Sequence, residues 1–135
     1  MNERETESLA AVQGLFAAFG TGDLPGMLAL CTPDIQWIIP GPGDVPYFGA
    51  RVGHDGVRDF FQRFGESVEL DEFQPREFIV KDNRVVVTGR EFGRVRANGR
   101  TFQNLWAMLF TVRDGKVSLF ISHEDTAAVA DAFRG

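Results

Sequence analysis

The feature that most constrains the fold is a succession of four strand-like runs joined by three turn dipeptides. The runs lie near residues 72–81, 84–96, 100–112 and 116–124. The joints between them are Asp82-Asn83, Asn98-Gly99 and Asp114-Gly115. Dipeptides of this kind are typical of tight hairpin turns, so each one favours an antiparallel pair of strands. The C-terminal half of the chain is therefore predicted to be an antiparallel meander.

Helical patterns occupy most of the N-terminal half. Apolar residues over 9–19 recur at three- and four-residue steps, which indicates an amphipathic helix that ends near Gly20. Asp23 is predicted to cap a second helix over about residues 24–31. A third helix, with a strongly aromatic inner stripe, is predicted over residues 57–68.

The other segments are short. A strand is predicted over Ile35–Ile39, followed by an irregular loop that carries Tyr47 and reaches residue 53. Asp125 is predicted to cap a last helix over residues 126–133. Helices followed by a meander are typical of the α+β class, with the helices on one face of a curved antiparallel sheet. We expect a single domain over residues 1–135.

Composition excludes several classes of protein. The formal net charge of −5 argues against nucleic-acid binding, which needs a basic face. The one cysteine, Cys31, cannot form an internal disulfide and is predicted to be a buried thiol in a helical stretch. No basic segment followed by an apolar run marks a secretory signal, and no stretch approaches the ~20 apolar residues of a membrane span. We expect a cytoplasmic protein that does not associate with membranes.

The turn at Asn98-Gly99 predicts which side chains share a face of the sheet. A two-residue turn places residues whose numbers sum to 197 opposite one another. The predicted pairs are Glu91 with Trp106, Gly89 with Met108, and Gly93 with Asn104. This register sends the nearby arginines, Arg90, Arg94 and Arg96, to the other face.

The turn at Asp114-Gly115 allows two registers. A two-residue turn pairs Met108 with Ile121, whereas a three-residue loop with Gly115 in a bulge pairs Met108 with Phe120 and Trp106 with Ser122. The apolar pattern of the last strand does not decide between them.

Motifs along nearly the whole chain resemble the SnoaL-like family of the nuclear transport factor 2-like superfamily, to which ketosteroid isomerases are related. They are Phe16-Ala17-Ala18-Phe19, Gly22-Asp23, Trp37 before Pro40-Gly41-Pro42, Pro46-Tyr47-Phe48-Gly49, Phe60-Phe61, the Trp106 strand, Asp114-Gly115-Lys116 and Asp125-Thr126-Ala127-Ala128. The resemblance implies a cone-shaped α+β half-barrel around a small-molecule pocket. It also favours the Gly115 bulge, because family sites combine the Trp strand with even-numbered positions of the last strand.

The family's catalytic residues are not matched. The resemblance places Met108 where polyketide cyclases of the family carry a histidine, and Ser122 where they carry an acid. Neither side chain can take up a proton near neutral pH. The acid–arginine–acid arrangement of related epoxide hydrolases is missing as well, since its positions match Glu91, Gly93 and Ser122.

A concave, aromatic-lined site is predicted for a small, mostly apolar molecule. Its substrate-binding candidates are Trp37, Tyr47, Phe60, Phe64, Asn104, Trp106, Met108, Phe120, Ser122 and Glu124. Gly89 and Gly93 are expected to leave space beside Glu91. Mostly apolar clefts with a few converging polar groups are the usual form of small-molecule sites, and we expect a volume of a few hundred Å³.

Glu91 is the catalytic candidate. A carboxylate on an apolar concave face should have a raised pKa through desolvation, which suits general acid–base chemistry. Alternatively, Glu91 bonds to Asn104 or Tyr47, or pairs with Arg51, and only supports the wall. Two function hypotheses follow: a cofactor-free isomerase, cyclase or dehydratase, and a binding or carrier module without turnover. No cofactor and no metal site are predicted.

The opposite face of the sheet predicts an assembly. By the same alternation it carries apolar side chains, namely Leu105, Ala107, Leu109, Leu119 and Ile121. A strand that is apolar on both faces is normally covered on both, and large apolar patches rarely stay exposed on a monomer. We therefore expect a two-fold symmetric homodimer that packs sheet against sheet, with Arg90, Arg94 and Arg96 at its rim.

Overall fold

Four helices and six strands make up the computed structural model, which describes all 135 residues, Met1–Gly135. In chain order they are α1 (Glu3–Gly20), α2 (Leu24–Ala29), β1 (Cys31–Ile39), β2 (Gly49–Val52), α3 (Gly53–Ser67), β3 (Val68–Lys81), β4 (Arg84–Val95), β5 (Thr101–Arg113), β6 (Lys116–Glu124) and α4 (Thr126–Arg134). None of the four helices is both long and apolar enough to span a membrane.

The strands form one sheet in the order β2-β1-β6-β5-β4-β3. All neighbouring strands run antiparallel except β1 and β6, which are parallel. The helices cover one face of the sheet, and the buried apolar core lies between them and that face. The predicted α+β fold, a curved sheet wrapped by helices, is confirmed.

The first helix is fixed to the sheet at its N-terminal end. Asn2 and Glu5 form a reciprocal capping box that satisfies free N–H groups at the start of α1. Glu5 also accepts a hydrogen bond from the backbone N–H of Asp82, and the Ser8 hydroxyl donates to the Asp82 carbonyl. These bonds hold α1 against the β3–β4 turn, so that its aromatic side chains lie over the concave face.

The predicted register between β4 and β5 was wrong by two residues. Glu91 lies opposite Asn104, and Gly89 lies opposite Trp106. The reason is the length of the loop, because Val95 and Arg100 are bonded to each other and leave four residues, 96–99, between them. An even shift keeps every side chain on its predicted face, so Glu91 remains on the concave side.

The register between β5 and β6 differs from both alternatives. Asp114 and Gly115 both have positive φ and form a two-residue turn, with Arg113 opposite Lys116. A bulge then follows at Ser118, between the pairs Val112–Val117 and Thr111–Leu119. Beyond it, Met108 lies opposite Ser122 and Trp106 opposite Glu124. The predicted bulge at Gly115 was therefore wrong, because Gly115 lies in the two-residue turn and the bulge lies on the strand at Ser118.

Two local predictions in the N-terminal half were also wrong. Residues 49–52, predicted as part of a loop, form strand β2 on the edge beside β1. Cys31 opens β1 instead of ending a helix, although it is a free buried thiol as expected. Burial raises the pKa of this thiol to about 11, which keeps it protonated and unreactive.

Candidate functional site

A cavity lies between the concave face of the sheet and the helices. Seventeen residues line it, and fifteen of them are hydrophobic. Its aromatic lining consists of Phe16, Phe19, Trp37, Tyr47, Phe60, Phe61, Phe64, Phe73, Phe110 and Phe120. The two polar residues at its wall are Glu91 and Glu124. An apolar cavity with two acidic groups at one place is suited to a molecule that is apolar except at one polar group.

The free volume of the cavity is about 60 Å³. This is smaller than the few hundred Å³ predicted and gives room for about two water molecules. Aromatic side chains that pack on one another fill the rest of the space between the helices and the sheet. Trp37 lies on Phe120 with ring centres 4.1 Å apart, and Phe60 contacts Phe61 at 4.9 Å. A metabolite can therefore enter only if some of these side chains move.

Asn104 joins the two acidic side chains. Its amide nitrogen Nδ2 donates to Glu91 Oε1 at 2.8 Å and to Glu124 Oε1 at 2.9 Å. Its carbonyl oxygen accepts a hydrogen bond from the backbone N–H of Asp125, which fixes the orientation of the amide. The Ser122 hydroxyl donates to the second oxygen of Glu124 at 2.7 Å. Asn104 and Ser122 are fully buried, so this is an interior polar network.

The two carboxyl groups are not equivalent. Both oxygens of Glu124 accept hydrogen bonds, one from Asn104 and one from Ser122. Glu91 accepts a single bond at Oε1, and its Oε2 has no protein partner. Since Glu91 lines the cavity, it is the carboxyl group with a free oxygen for a bound molecule.

Burial raises the pKa of Glu91 to about 8. Desolvation is the largest cause, the negative charge of Glu124 adds to it, and the hydrogen bond from Asn104 opposes it. Burial also raises the pKa of Glu124, against the hydrogen bonds from Ser122 and Asn104. With two donors holding its carboxylate, Glu124 is better suited to carry the charge. Glu91 is then the group that carries a proton at neutral pH.

Tyr47 lies against the same network. Burial raises the pKa of its hydroxyl, and the charges of Glu91 and Glu124 raise it further. The phenol therefore remains protonated and can act only as a neutral hydrogen-bond donor or acceptor. Arg51 holds the Tyr47 segment in place by donating to the Tyr47 carbonyl and pairing with Asp59 at 3.0 Å. Arg51 is thus engaged away from Glu91, contrary to one of the alternatives considered above.

The predicted site residues divide into two groups. Those that line the cavity are Trp37, Tyr47, Phe60, Glu91, Phe64, Met108, Phe120 and Glu124. Asn104, Trp106 and Ser122 are buried in the wall behind it. Trp106 packs flat against Phe73 at 5.2 Å and against Phe16 at 6.3 Å, so those two side chains separate it from the free volume.

The two glycines beside Glu91 do not leave space for a ligand. A Cβ at Gly89 would lie 2.4 Å from the backbone carbonyl oxygen of Gln74 and 2.4 Å from the Trp106 ring. A Cβ at Gly93 would lie 2.4 Å from the Phe102 ring. The absence of side chains at these positions admits Trp106 and Phe102 into the wall, which corrects the prediction of open space.

Several lining residues were not predicted, notably Phe16 and Phe19 of α1 and Phe73 of β3. The helical spacing of Phe16 and Phe19 marked them as the inner stripe of an amphipathic helix, which did not distinguish core from cavity. Phe73 lies opposite Glu91, and this position follows only from the β3–β4 register with its irregularities at Asp71 and Arg76.

The histidines lie away from the cavity. His54 is in the first turn of α3, where its Nε2 lies 3.1 Å from the Cys31 carbonyl. Val52 occupies the cap position of this helix, and Asp55 in its first turn pairs with Arg58. His123 is exposed on the convex face, opposite Ala107.

A curved six-stranded sheet wrapped by helices is the fold that this chain shares with solved nuclear transport factor 2-like proteins. The profile of the SnoaL-like domain matches residues 12–120, and the chain belongs to this family.

Several solved structures are similar over nearly the full length. A nuclear transport factor 2-like protein from Burkholderia xenovorans LB400 has 38% identity and a TM-score of 0.89, covering 98% of this chain and 99% of that one. TerC, co-crystallised with polyporic acid, has 27% identity and a TM-score of 0.85, covering 96% and 99%. A protein of unknown function from Burkholderia pseudomallei K96243 has 29% identity and a TM-score of 0.87, covering 96% and 98%. Among curated proteins, none matches the chain.

Proposed function

We propose that this protein binds a small, mostly apolar carbonyl compound in the cone cavity and that Glu91 transfers a proton to or from it. The observation that carries the proposal is the free Oε2 of a buried carboxyl group at the wall of an otherwise apolar cavity. A carboxyl group whose pKa lies near the working pH is effective both as an acid and as a base.

The surrounding residues support this role for Glu91. Asn104 holds the carboxyl group in one orientation, and Glu124 raises its pKa by lying beside it as a second acid. Tyr47 supplies a protonated hydroxyl for the oxygen of an enolate, and the Trp37 Nε1–H is a buried donor without a protein partner. No step requires a cofactor.

The reaction is an enolisation of the isomerase or cyclase kind. The Glu91 carboxylate removes a proton from the carbon next to the carbonyl group, the electron pair of that C–H bond forms a C=C double bond to the carbonyl carbon, and the π pair of the C=O bond moves to the oxygen to give an enolate. The protonated Glu91 then returns a proton to the same carbon or to another position. Similarity to TerC, a protein co-crystallised with polyporic acid, supports the expectation of an organic ligand.

Hydrogen–deuterium exchange tests this proposal without knowledge of the natural substrate. In deuterated buffer, 4-phenylbutan-2-one should exchange its α-protons faster with the protein than with buffer alone, as followed by proton NMR. The rate should rise as pH increases through about 8, because Glu91 then becomes a carboxylate. Glu91→Gln, which keeps the acceptor for Asn104, should lower the protein-dependent rate at least 100-fold. Equal exchange by the variant would remove Glu91 from the mechanism.

Binding without turnover is the second candidate. It is favoured by Met108 and Ser122, which match the family's histidine and acid positions and cannot exchange protons near neutral pH. The Ser122 hydroxyl also donates its one hydrogen to Glu124. Saturable binding of the ketone with no exchange above the buffer rate would support a carrier and exclude the enolisation.

We also propose that two copies pack through the convex face of the sheet. An apolar row crosses five adjacent strands there and consists of Ile38, Ile121, Leu109, Val86 and Ile79. Leu105, on the same face four residues along β5 from Leu109, is 61% exposed. The predicted rim residues Arg90, Arg94 and Arg96 pair with Glu72, Asp71 and Glu69.

We propose that the protein is located in the cytoplasm. The free buried thiol of Cys31 is suited to a reducing compartment.

A further inference from the structure

A groove on the outside of the molecule adjoins the cavity. It lies between the C-terminal end of α1 and strand β3 and has a volume of about 460 Å³. Four residues line both the groove and the cavity, namely Phe16, Phe19, Leu70 and Phe73. We call these four the partition. Gly20 and Pro75 complete the apolar part of the groove.

The sizes of the two spaces set a constraint on the ligand. The cavity that contains the acidic pair has a volume of about 60 Å³, well below the roughly 300–1,000 Å³ of ordinary ligand pockets. The groove has several times this volume, and only the partition separates the two. The partition side chains are all half-buried, and Phe19 and Phe73 touch at 4.8 Å. Their partial exposure makes them easier to displace than fully buried Phe110 or Val87.

The groove is not a site for a cation despite two acidic residues at its edge. Asp71 pairs with Arg94 at 3.5 Å, and Glu72 pairs with Arg90 at 3.1 Å. Both negative charges are thus offset by arginines from the neighbouring strand. The remaining lining is apolar, so the groove is suited to an uncharged aromatic or aliphatic group.

We propose that the ligand is elongated and occupies both spaces, with its carbonyl group at Glu91 and its apolar extension in the groove after the partition side chains move aside. This inference rests on the proposed function and adds the shape of the ligand. It predicts that affinity increases with the length of an apolar tail on a fixed ketone head.

Two glycines allow a controlled test. Gly20 lines the groove, and a Cβ there would meet no atom within 4 Å, so Gly20→Leu introduces an apolar side chain at the groove. Gly65 on α3 is equally open and lies outside the groove, so Gly65→Leu is the matched control. Both positions have ordinary backbone conformations, and both substitutions introduce the same side chain into a helix.

The experiment compares Kd for 4-phenylbutan-2-one and for 4-(biphenyl-4-yl)butan-2-one, which carries one more ring on the same head. The native protein should bind the longer ketone about tenfold more tightly, because the second ring buries additional apolar area. Gly20→Leu should remove this advantage of the longer ketone over the shorter one, whereas Gly65→Leu should retain it.

The outcomes separate the two proposals. If Gly20→Leu binds the longer ketone as the native protein does, the groove is not used and the inference is wrong, while Glu91-dependent exchange of the shorter ketone would leave the proposed function standing. If the native protein neither binds nor exchanges either ketone, the proposed function and the inference both fail.

Discussion

The two faces of the sheet differ in a direction opposite to ordinary expectation. The concave face, which is buried, carries the polar network of Glu91, Asn104, Ser122 and Glu124. The convex face carries an apolar row and, farther along β5, the 61% exposed Leu105. Burying polar groups is unfavourable, and so is exposing apolar area. The two proposals rest on this contrast: a ligand would meet the polar groups of the inner face, and a second copy would cover the apolar row of the outer face.

The largest expected effect is on the pH dependence of stability. The folded-state pKa of Glu91 is raised to about 8 from an ordinary value of 4.5, so the folded protein binds a proton that the unfolded chain has lost in this range. The contribution of Glu91 to stability is therefore fully present below about pH 4.5 and falls as pH rises to about 8, by about 1 kcal/mol for each pH unit. Urea unfolding from pH 5 to pH 8 measures this slope.

Glu91→Gln is the control for that slope. It removes the titrating group and keeps an acceptor for Asn104, so the free energy of unfolding should vary much less with pH. An identical slope in the variant would mean that Glu91 does not carry the buried proton.

The next largest effect is the loss of stability when Asn104, which joins the two acidic side chains, is replaced. Asn104→Leu leaves both carboxyl groups without their shared donor and should lower the free energy of unfolding by about 3 kcal/mol at pH 8. The loss of unfolding free energy should be smaller at pH 4.5, because protonated carboxyl groups carry no negative charge that the Asn104 amide must stabilise. Gln103→Leu, at the exposed neighbouring position, should change stability by no more than about 0.5 kcal/mol. Equal losses in the two variants would show that the network is not held by Asn104.

The oligomeric state of the protein tests the proposed packing of two copies through the convex face. Light scattering at micromolar concentration should give twice the chain mass of 15.0 kDa. Leu109→Asp places a charge within the apolar row and should return the mass to that of one chain, since a buried Leu side chain contributes about 1.5–3 kcal/mol. Gln13→Asp, at an exposed position on α1, adds the same charge and should leave the measured mass unchanged. If the native protein is a monomer, the convex face is exposed to solvent and the proposed dimer is wrong.

The faces of the sheet were predictable from the sequence, whereas the exact pairing was not. Alternation along the strands placed Glu91, Asn104 and Met108 on one face correctly, because an even register shift does not change the face. The shift itself came from local features without a clear sequence signal. The 96–99 loop is held partly by a hydrogen bond from the Asn98 side chain to the Ala132 carbonyl, a contact 34 residues away in sequence.

The shape of the cavity was harder still to predict. Its small volume depends on how Phe16, Phe19, Phe61 and Phe73 pack across elements that are distant in sequence, and residue type alone does not determine it. The pairing of Glu91 with Glu124 through Asn104 depends on the β5–β6 bulge at Ser118, which lies in an apolar strand. By contrast, the fold class followed from the turn dipeptides and the family motifs.

The central claim is that Glu91 holds a proton at neutral pH because it is buried beside a second, ionised carboxyl group. Selective carboxyl ¹³C labelling and NMR titration would measure its pKa directly, with Glu91→Gln to assign the signal. The account predicts a pKa of about 8 in the native protein and a lower value in Glu124→Gln, where the neighbouring charge is removed. A Glu91 pKa near 4.5 in the native protein, unchanged by Glu124→Gln, would contradict it.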